Sequence, residues 1–225
     1  EKSINITVEE QPTGQVSLGA GVGTSGTSTS FGLQESNFLG KGIKLNSSLT
    51  LSEESIRGLF SYTKKNYNNS DKDLIFSVKS TQTDRLDSFG YKSTDTGFVL
   101  GTSYEYLEDF YFSPNFEIFY ETLTTASSAS SLLKKQEGSY FDSNIGYSLI
   151  LDKRDQSYQP SDGYFSNFYQ SLPLNIDENQ TLVNSYELIT FHEYIDNQVA
   201  TLSIYGKAAN SLGQNDVKIS DRLYL

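Results

Sequence analysis

Apolar and small polar residues alternate one by one from Gly14 onward, and this constrains the fold more than any other feature of the chain. Successive side chains of a strand point to opposite faces, so period-2 alternation specifies strands with one apolar and one polar face. In GQVSLGAGVG the residues Val16, Leu18, Ala20 and Val22 share one face, while Gln15, Ser17, Gly19 and Gly21 share the other. The pattern recurs at Thr27, Thr29, Phe31 and Leu33, at Ile43, Leu45, Leu49 and Leu51, and at Ile56, Phe60 and Tyr62. It continues through Leu74, Phe76 and Val78, then Phe98, Leu100 and Tyr104, then Phe112, Phe116, Ile118 and Tyr120, and then Ile145, Tyr147, Leu149 and Leu151. With GYFSNFYQSL, TLVNSYELITF and QVATLSIYGKA, whose facing is ambiguous, the chain reads as about eleven strands joined hairpin to hairpin.

Such a series folds as one antiparallel up-and-down sheet whose odd and even turns lie at opposite ends. One set of turns comprises NFLGKG, KKNYNNSDK, YLEDF, DKRDQSYQPSDG and EYIDNQ; the other includes long polar segments near residues 81–95 and 123–139. Short turns at one end and longer loops at the other are the pattern of an outer-membrane β-barrel. Several strands look about nine or ten residues long, the length a tilted membrane strand needs. The aromatics Tyr62, Phe112, Tyr120, Tyr164 and Tyr205 fall near strand ends, where interfacial girdles sit. A soluble β-sandwich also produces short alternating strands, and it stands as the alternative fold.

Composition removes other classes. The longest apolar runs, such as Phe98-Val99-Leu100 and Leu149-Ile150-Leu151, fall far short of the roughly 18 residues of a membrane helix. A mean hydropathy of -0.45 is compatible with a soluble protein and with a barrel, because only alternate residues of a barrel strand face lipid. The net charge of -11 argues against a nucleic-acid partner, which needs clustered Lys and Arg. There is no Cys, hence no disulfide framework or thiolate metal site.

No catalytic or cofactor-binding constellation is legible. His192 is the single histidine and lacks a nucleophile or a second metal-binding histidine, so it reads as an ordinary strand residue. GAGVGTSG is glycine-rich but lacks the following helix and Lys-Ser/Thr pair of a phosphate loop. Its glycines read as small inward-facing residues, or as a strand that pairs weakly and can open. In DKRDQSYQPSDG, Asp152, Arg154 and Asp155 precede the turn markers Pro160 and Gly163. The cluster reads either as a solvated charged turn or as a turn hydrogen-bonded to the inner wall of a barrel. Before Gly14, SINITVEEQPTG is an alternating strand with Ile4, Ile6 and Val8, halted by Pro12, and it reads as the last strand of a preceding module.

Three of these segments carry a family resemblance. VEEQPTG followed by a glycine-rich strand resembles the junction between the last POTRA domain and the first barrel strand of the BamA-type outer-membrane insertases. ESNFLGKG, with Asn37, Phe38, Leu39, Gly40 and Gly42, looks like that family's first periplasmic turn. The segment with Asp152, Arg154, Asp155, Pro160 and Gly163 is similar to its D-x-R-D…P-x-x-G turn, and ISDRLYL resembles the approach to its sixth extracellular loop. The resemblance implies residues 1–12 as the end of a POTRA domain. It implies residues 13–225 as the N-terminal part of an antiparallel up-and-down transmembrane β-barrel, with roughly eleven of about sixteen strands. It further implies folding and insertion of β-barrel proteins in the bacterial outer membrane, without catalysis or cofactor. The first strand, Gly14 to Val22, would be one side of a lateral gate, with partners in the lipid bilayer, unfolded client barrels and accessory assembly subunits. A passive pore, or a polypeptide-secretion barrel of the TamA-like or two-partner type, is the alternative function.

Overall fold

The structure, a computed structural model, describes residues 12–23, 26–174, 180–196, 198–213 and 215–223. The expected strand with Ile4, Ile6 and Val8 lies outside the described residues. From Gly14 onward the alternating segments form β1 (Gly14–Gly23), β2 (Gly26–Phe38), β3 (Ile43–Ser52), β4 (Ser55–Lys64), β5 (Asp73–Arg85) and β6 (Tyr91–Leu107). They continue as β7 (Phe110–Thr125), β8 (Gly138–Asp152), β9 (Asp162–Pro173), β10 (Thr181–Ile195) and β11 (Gln198–Ser211). All belong to one 11-stranded sheet in sequence order. Each strand pairs antiparallel with its neighbours, and β1 and β11 form the two edges.

The register aligns the apolar positions into continuous rows. Leu100 stands opposite Phe116, Phe116 opposite Ile145, and Ile145 opposite Leu172. The alternate row runs through Asp95, Glu121 and Tyr140 or its neighbours, and it is over this face that residues 215–223 fold, because Lys218 bonds Glu121 and Asp142. That face is the inner one, and the apolar rows are outer. Their side chains are exposed: Val16, Leu18, Phe31, Leu100, Phe116, Ile145 and Leu172 all keep a large part of their surface uncovered. Among the described residues the buried hydrophobic core is only Tyr91, Val99 and Leu123. A sandwich would lay a second sheet over the apolar face. Here one sheet carries every described strand and its apolar face looks outward, the arrangement a bilayer stabilises and water does not.

Strand length varies along the sheet: β1, β3 and β4 have the ten residues expected of several strands. β6 has 17 residues and β7 has 16, well beyond the nine or ten read from the apolar stretches. The segment near 81–95 is largely strand, leaving only 86–90 with a helical turn α1 (Leu86–Phe89), whereas most of 123–139 stays a connection, 126–137, with α2 (Ser131–Lys134). The ladder continues through Thr81 opposite Asp95 and Thr83 opposite Ser93. Both faces are polar there, so the amphipathic signal ends before the backbone pairing does. Thr still favours a pleated strand, and the ladder needs no apolar face.

Among the described residues, connections at the Gly14 end span 39–42, 65–72, 108–109 and 153–161; those at the Gly23 end span 53–54, 86–90 and 126–137. The expected contrast in length therefore holds only in the second half of the chain. β9 to β11 also acquire a definite facing, with Tyr164, Phe168, Tyr186, Leu202 and Ile204 on the outer side. Tyr205 stands opposite Glu187 on the inner side, which removes it from the expected girdle.

Candidate functional site

β1 is bonded on one side only. It pairs residue for residue with β2 from Gly14 opposite Glu35 to Gly23 opposite Gly26, and no described strand of this chain bonds its other edge. Its outer side chains are the barest large hydrophobic ones on the sheet, with Val16 78%, Leu18 72% and Val22 87% exposed. On the inner face glycine and serine interlock. Gly19 faces Ser30 and Ser17 faces Gly32, and a Cβ on Gly19 would stand 2.6 Å from the Ser30 hydroxyl. Among the described residues no side-chain hydrogen bond joins β1 to β2, so the strand is held mainly by its backbone ladder. Side-chain pairs normally add to sheet stability, and glycine contributes none. Gln15, Ala20 and Gly21 complete the set that the sequence assigns to the gate, and all of it lies on this strand.

The first turn of the Gly14 end is built for a reversal. Asn37 accepts the Gly42 amide on Oδ1 at 2.7 Å and the Gly40 amide on its carbonyl at 2.9 Å. Leu39, Gly40 and Gly42 all have positive φ, a region where glycine is unpenalised and leucine is strained. The Glu35 carboxylate accepts the Asn37 amide at 2.8 Å, and Lys64 reaches from the end of β4 to the Lys41 carbonyl. Phe38 and Leu39 are left exposed at the tip.

The turn after β8 is the most cross-linked of that end. Arg154 donates from Nε and Nη2 to the two oxygens of Asp152, each at 2.7 Å, and lies 5.1 Å from the inner-facing Phe165 ring. A bidentate guanidinium–carboxylate pair fixes geometry as well as charge. Asp155 accepts the Ser161 hydroxyl and amide and the Asp162 amide, so one carboxylate closes the loop around Pro160. Gly163 has φ +96°, and a Cβ there would stand 2.0 Å from the Lys153 carbonyl oxygen. The charged cluster is an internally bonded turn in which Arg154 lies beside the inner-facing Phe165 ring, while Lys153 and residues 155–159 stay exposed to solvent.

The Ser161 hydroxyl, ahead of the backbone amides, holds the Asp155 carboxyl below its ordinary range. A depressed carboxyl stabilises the fold above its unfolded value of about 3.9, and the contribution disappears as pH falls through the folded value. The folded fraction of the wild type should thus drop more steeply on acidification below about pH 4 than that of Asp155→Asn, the curves converging at the acid end. Parallel curves across that range would contradict the role given to Asp155.

The outer wall carries an aromatic chain. Ring centroids lie 5.9 Å apart for Tyr104 and Phe112, 6.2 Å for Phe112 and Tyr147, and 6.3 Å for Tyr147 and Phe168. Lys72, from the turn at the Gly14 end, stands 5.0 Å from the Tyr104 ring. This band crosses β6 to β9; aromatic rings with a polar edge suit a membrane–water boundary. Tyr62, Tyr120 and Tyr164 are also on the outer face.

Sequence reasoning missed one inner-face cluster. Lys218, after β11, is 3% exposed and donates to Glu121 Oε2 at 2.8 Å and Asp142 Oδ2 at 2.7 Å. The lysine and its partners are 97 and 76 residues apart in the chain, so no local pattern announces them. His192, by contrast, is a strand residue of β10 beside the exposed Asp162, 3.5 Å away.

Residues 37–225 match the family model described as the Omp85 superfamily domain. Among 65 solved chains that match is BamA from Haemophilus ducreyi, in the crystal structure lacking POTRA domains 1–3. It aligns with a TM-score of 0.75 at 18% identity, over 94% of this chain and 44% of that chain. This chain thus spans less than half of that structure, and the likeness is one of fold. No curated protein sequence matches.

Proposed function

The chain belongs to the Omp85 superfamily, outer-membrane barrels that insert or transport proteins, and from that premise we propose that it is part of a bacterial outer-membrane assembly factor. In this reading the Gly14 end faces the periplasm and follows a POTRA domain, and the apolar rows of the outer wall face the lipid bilayer. The observation that carries the insertase reading is β1 itself. Among the described strands it is bonded only to β2, and its glycine–serine inner face gives few side-chain contacts to hold it; parted from the strand that closes the barrel against it, it would present a row of unpaired N–H and C=O groups. Such an edge is a template on which the terminal strand of an unfolded client barrel adds by β-augmentation. No bond is made or broken, so the work needs neither catalytic residue nor cofactor. The turns 39–42 and 153–161, bonded within themselves, supply a rigid periplasmic rim for accessory assembly subunits.

A passive pore or polypeptide-secretion barrel, TamA-like or of the two-partner type, draws support from the polar inner face. Residues 215–223 lie across that face, which counts against an open passive pore. The test is a lock. In the full-length protein, Gly21→Cys paired with a cysteine on the strand that closes the barrel against β1 should, when oxidised, abolish client insertion into lipid vesicles. Reduction should restore it. Insertion at an undiminished rate by the oxidised protein would sink the reading of β1 as a gate, while a loss of solute flux alone would favour the pore.

A further inference from the structure

Three polar side chains interrupt the outer wall in a single cross-strand row. Tyr147 on β8 stands opposite Gln170 on β9, and Gln170 opposite Asn184 on β10, all on the outer face. The Tyr147 hydroxyl donates to Gln170 Oε1 at 2.9 Å, and Gln170 Nε2 donates to Asn184 Oδ1 at 2.6 Å. Apolar and aromatic side chains flank the row on both sides. Leu149, Phe168 and Tyr186 lie toward the Gly14 end, and Ile145, Leu172 and Leu182 toward the Gly23 end.

Both hydrogen bonds run the same way. Each group passes a donor to the next, so the series ends on the amide nitrogen of Asn184, whose two N–H groups no described residue accepts. A surface in water would hydrate them. On a wall that faces hydrocarbon no water stands by, and an unanswered N–H costs about as much there as in a protein core. The neighbouring strand leaves the amide open to the membrane. Asn184 stands opposite the exposed Ala208, and Gly206, next on the outer face of β11, has open space where a Cβ would lie.

Depth decides what can reach it. Gln170, Asn184 and Ala208 each lie three positions inside the Gly23 end of their strand. At about 3.3 Å per residue and a tilt of about 45°, the row is roughly 7 Å below the strand ends. One further outer side chain per strand, Leu172, Leu182 or Asn210, separates it from them. The interfacial zone of a bilayer is about 5 to 7 Å thick on each side, so the row sits where that zone meets hydrocarbon. At that level lipids carry the carbonyls that join their chains to the headgroup, and a carbonyl accepts hydrogen bonds and donates none. A row that ends in donors complements such a ligand.

We infer that Asn184, oriented by Gln170 and Tyr147, is a lipid-binding site: it donates to an acyl-linkage carbonyl of a lipid in the leaflet at the Gly23 end, whose chain lies over Gly206 and Ala208. The inference rests on the outer-membrane barrel reading but not on the gate, since the row lies on β8 to β10, away from β1.

The test folds the full-length protein into vesicles of a diester phosphatidylcholine and, in parallel, of the diether phosphatidylcholine with the same headgroup and chain length, which lacks the carbonyls. Urea titration gives a folding constant in each lipid, and heat-dependent gel mobility reports the folded barrel. The ratio of the ester to the ether constant should be about fivefold larger for the wild type than for Asn184→Leu, the worth of one net hydrogen bond. Gln170→Met, which removes the group that orients Asn184, should lower the ratio in the same direction, and it stands in if Asn184→Leu does not fold. Thr190→Val, which deletes a hydroxyl elsewhere on the outer face of β10, should keep the wild-type ratio. Equal ratios for wild type and Asn184→Leu would overturn the proposal. So would a loss in Asn184→Leu that follows the protein-to-lipid ratio and ignores the lipid linkage, the mark of a protein partner on this face. A wild type that folds in neither vesicle, or that folds without any, would bring down the barrel reading and the lipid site with it.

Discussion

Replacing Gly163 by alanine should strip the folded barrel of a large part of its stability, the largest effect expected of any one-carbon change in the described residues. The native φ of +96° already disfavours any L side chain, and the added carbon would lie 2.0 Å from the Lys153 carbonyl oxygen and 2.9 Å from its carbon. Those are backbone atoms fixed on both sides by the bonds of Lys153 to Tyr164 and Asp155 to Asp162. Neither strand end is able to retreat without opening the turn that joins β8 to β9. We expect a cost of roughly 3 kcal/mol or more, enough to exhaust a large part of a typical domain's stability. Two glycines serve as controls. Gly40 has φ +68° with nothing near its missing Cβ, so Gly40→Ala should cost about 1 kcal/mol, the conformational penalty alone. Gly23 has neither a positive φ nor a near neighbour, and Gly23→Ala should be close to silent, within about 0.5 kcal/mol. Folded fractions in a urea titration with lipid vesicles measure all three. A Gly163→Ala protein as stable as Gly23→Ala would show that the turn is not built as described.

Leu100→Arg gives the second large effect, and it separates a membrane barrel from every soluble reading. Leu100 is 47% exposed in mid-β6, flanked on the outer face by Phe76 and Phe116. If water covered that face, an arginine would be harmless there, and for solubility an improvement. If lipid covers it, the guanidinium must be dragged into hydrocarbon at a cost of about 2 to 4 kcal/mol near the bilayer midplane. Ser77→Arg, on the inner face of the adjacent strand, adds the same charge to a crowded, water-facing wall, and its penalty should stem from packing alone. The decisive comparison is between vesicles of different hydrocarbon thickness. The cost of Leu100→Arg should rise with thickness, while that of Ser77→Arg should not. Independence from thickness for both would remove the lipid-facing assignment of the outer rows.

Much of this architecture was legible before any coordinates. Alternation placed Val16, Leu18, Phe31, Phe98, Phe116 and Ile145 on one common face, and hairpin order alone implied β1 to β11 as neighbours. Turn chemistry was readable at NFLGKG and DKRDQSYQPSDG, because the Asn, Asp, Pro and Gly that force reversals act within a few residues of themselves. Legibility failed where the cause was not local. In β5 to β8 the polar ends remain strand, since a neighbouring backbone pairs with them whether or not their side chains alternate. Tyr205 was misplaced because QVATLSIYGKA alternates weakly, and its facing comes from the register with β10.

The sequence by itself determined the strands, their order, the common apolar rows and the two structured turns, since each depends on contacts between residues adjacent in the chain or one hairpin away. Only the tertiary structure decided which face is inner, how far the strands run past the apolar band, and that Lys218 is buried among carboxylates. Those outcomes depend on how the whole sheet curls and on where residues 215–223 come to rest. Electrostatic attraction acts through space, so a lysine and glutamate 97 positions apart leave no periodic mark for a reader of the sequence to find.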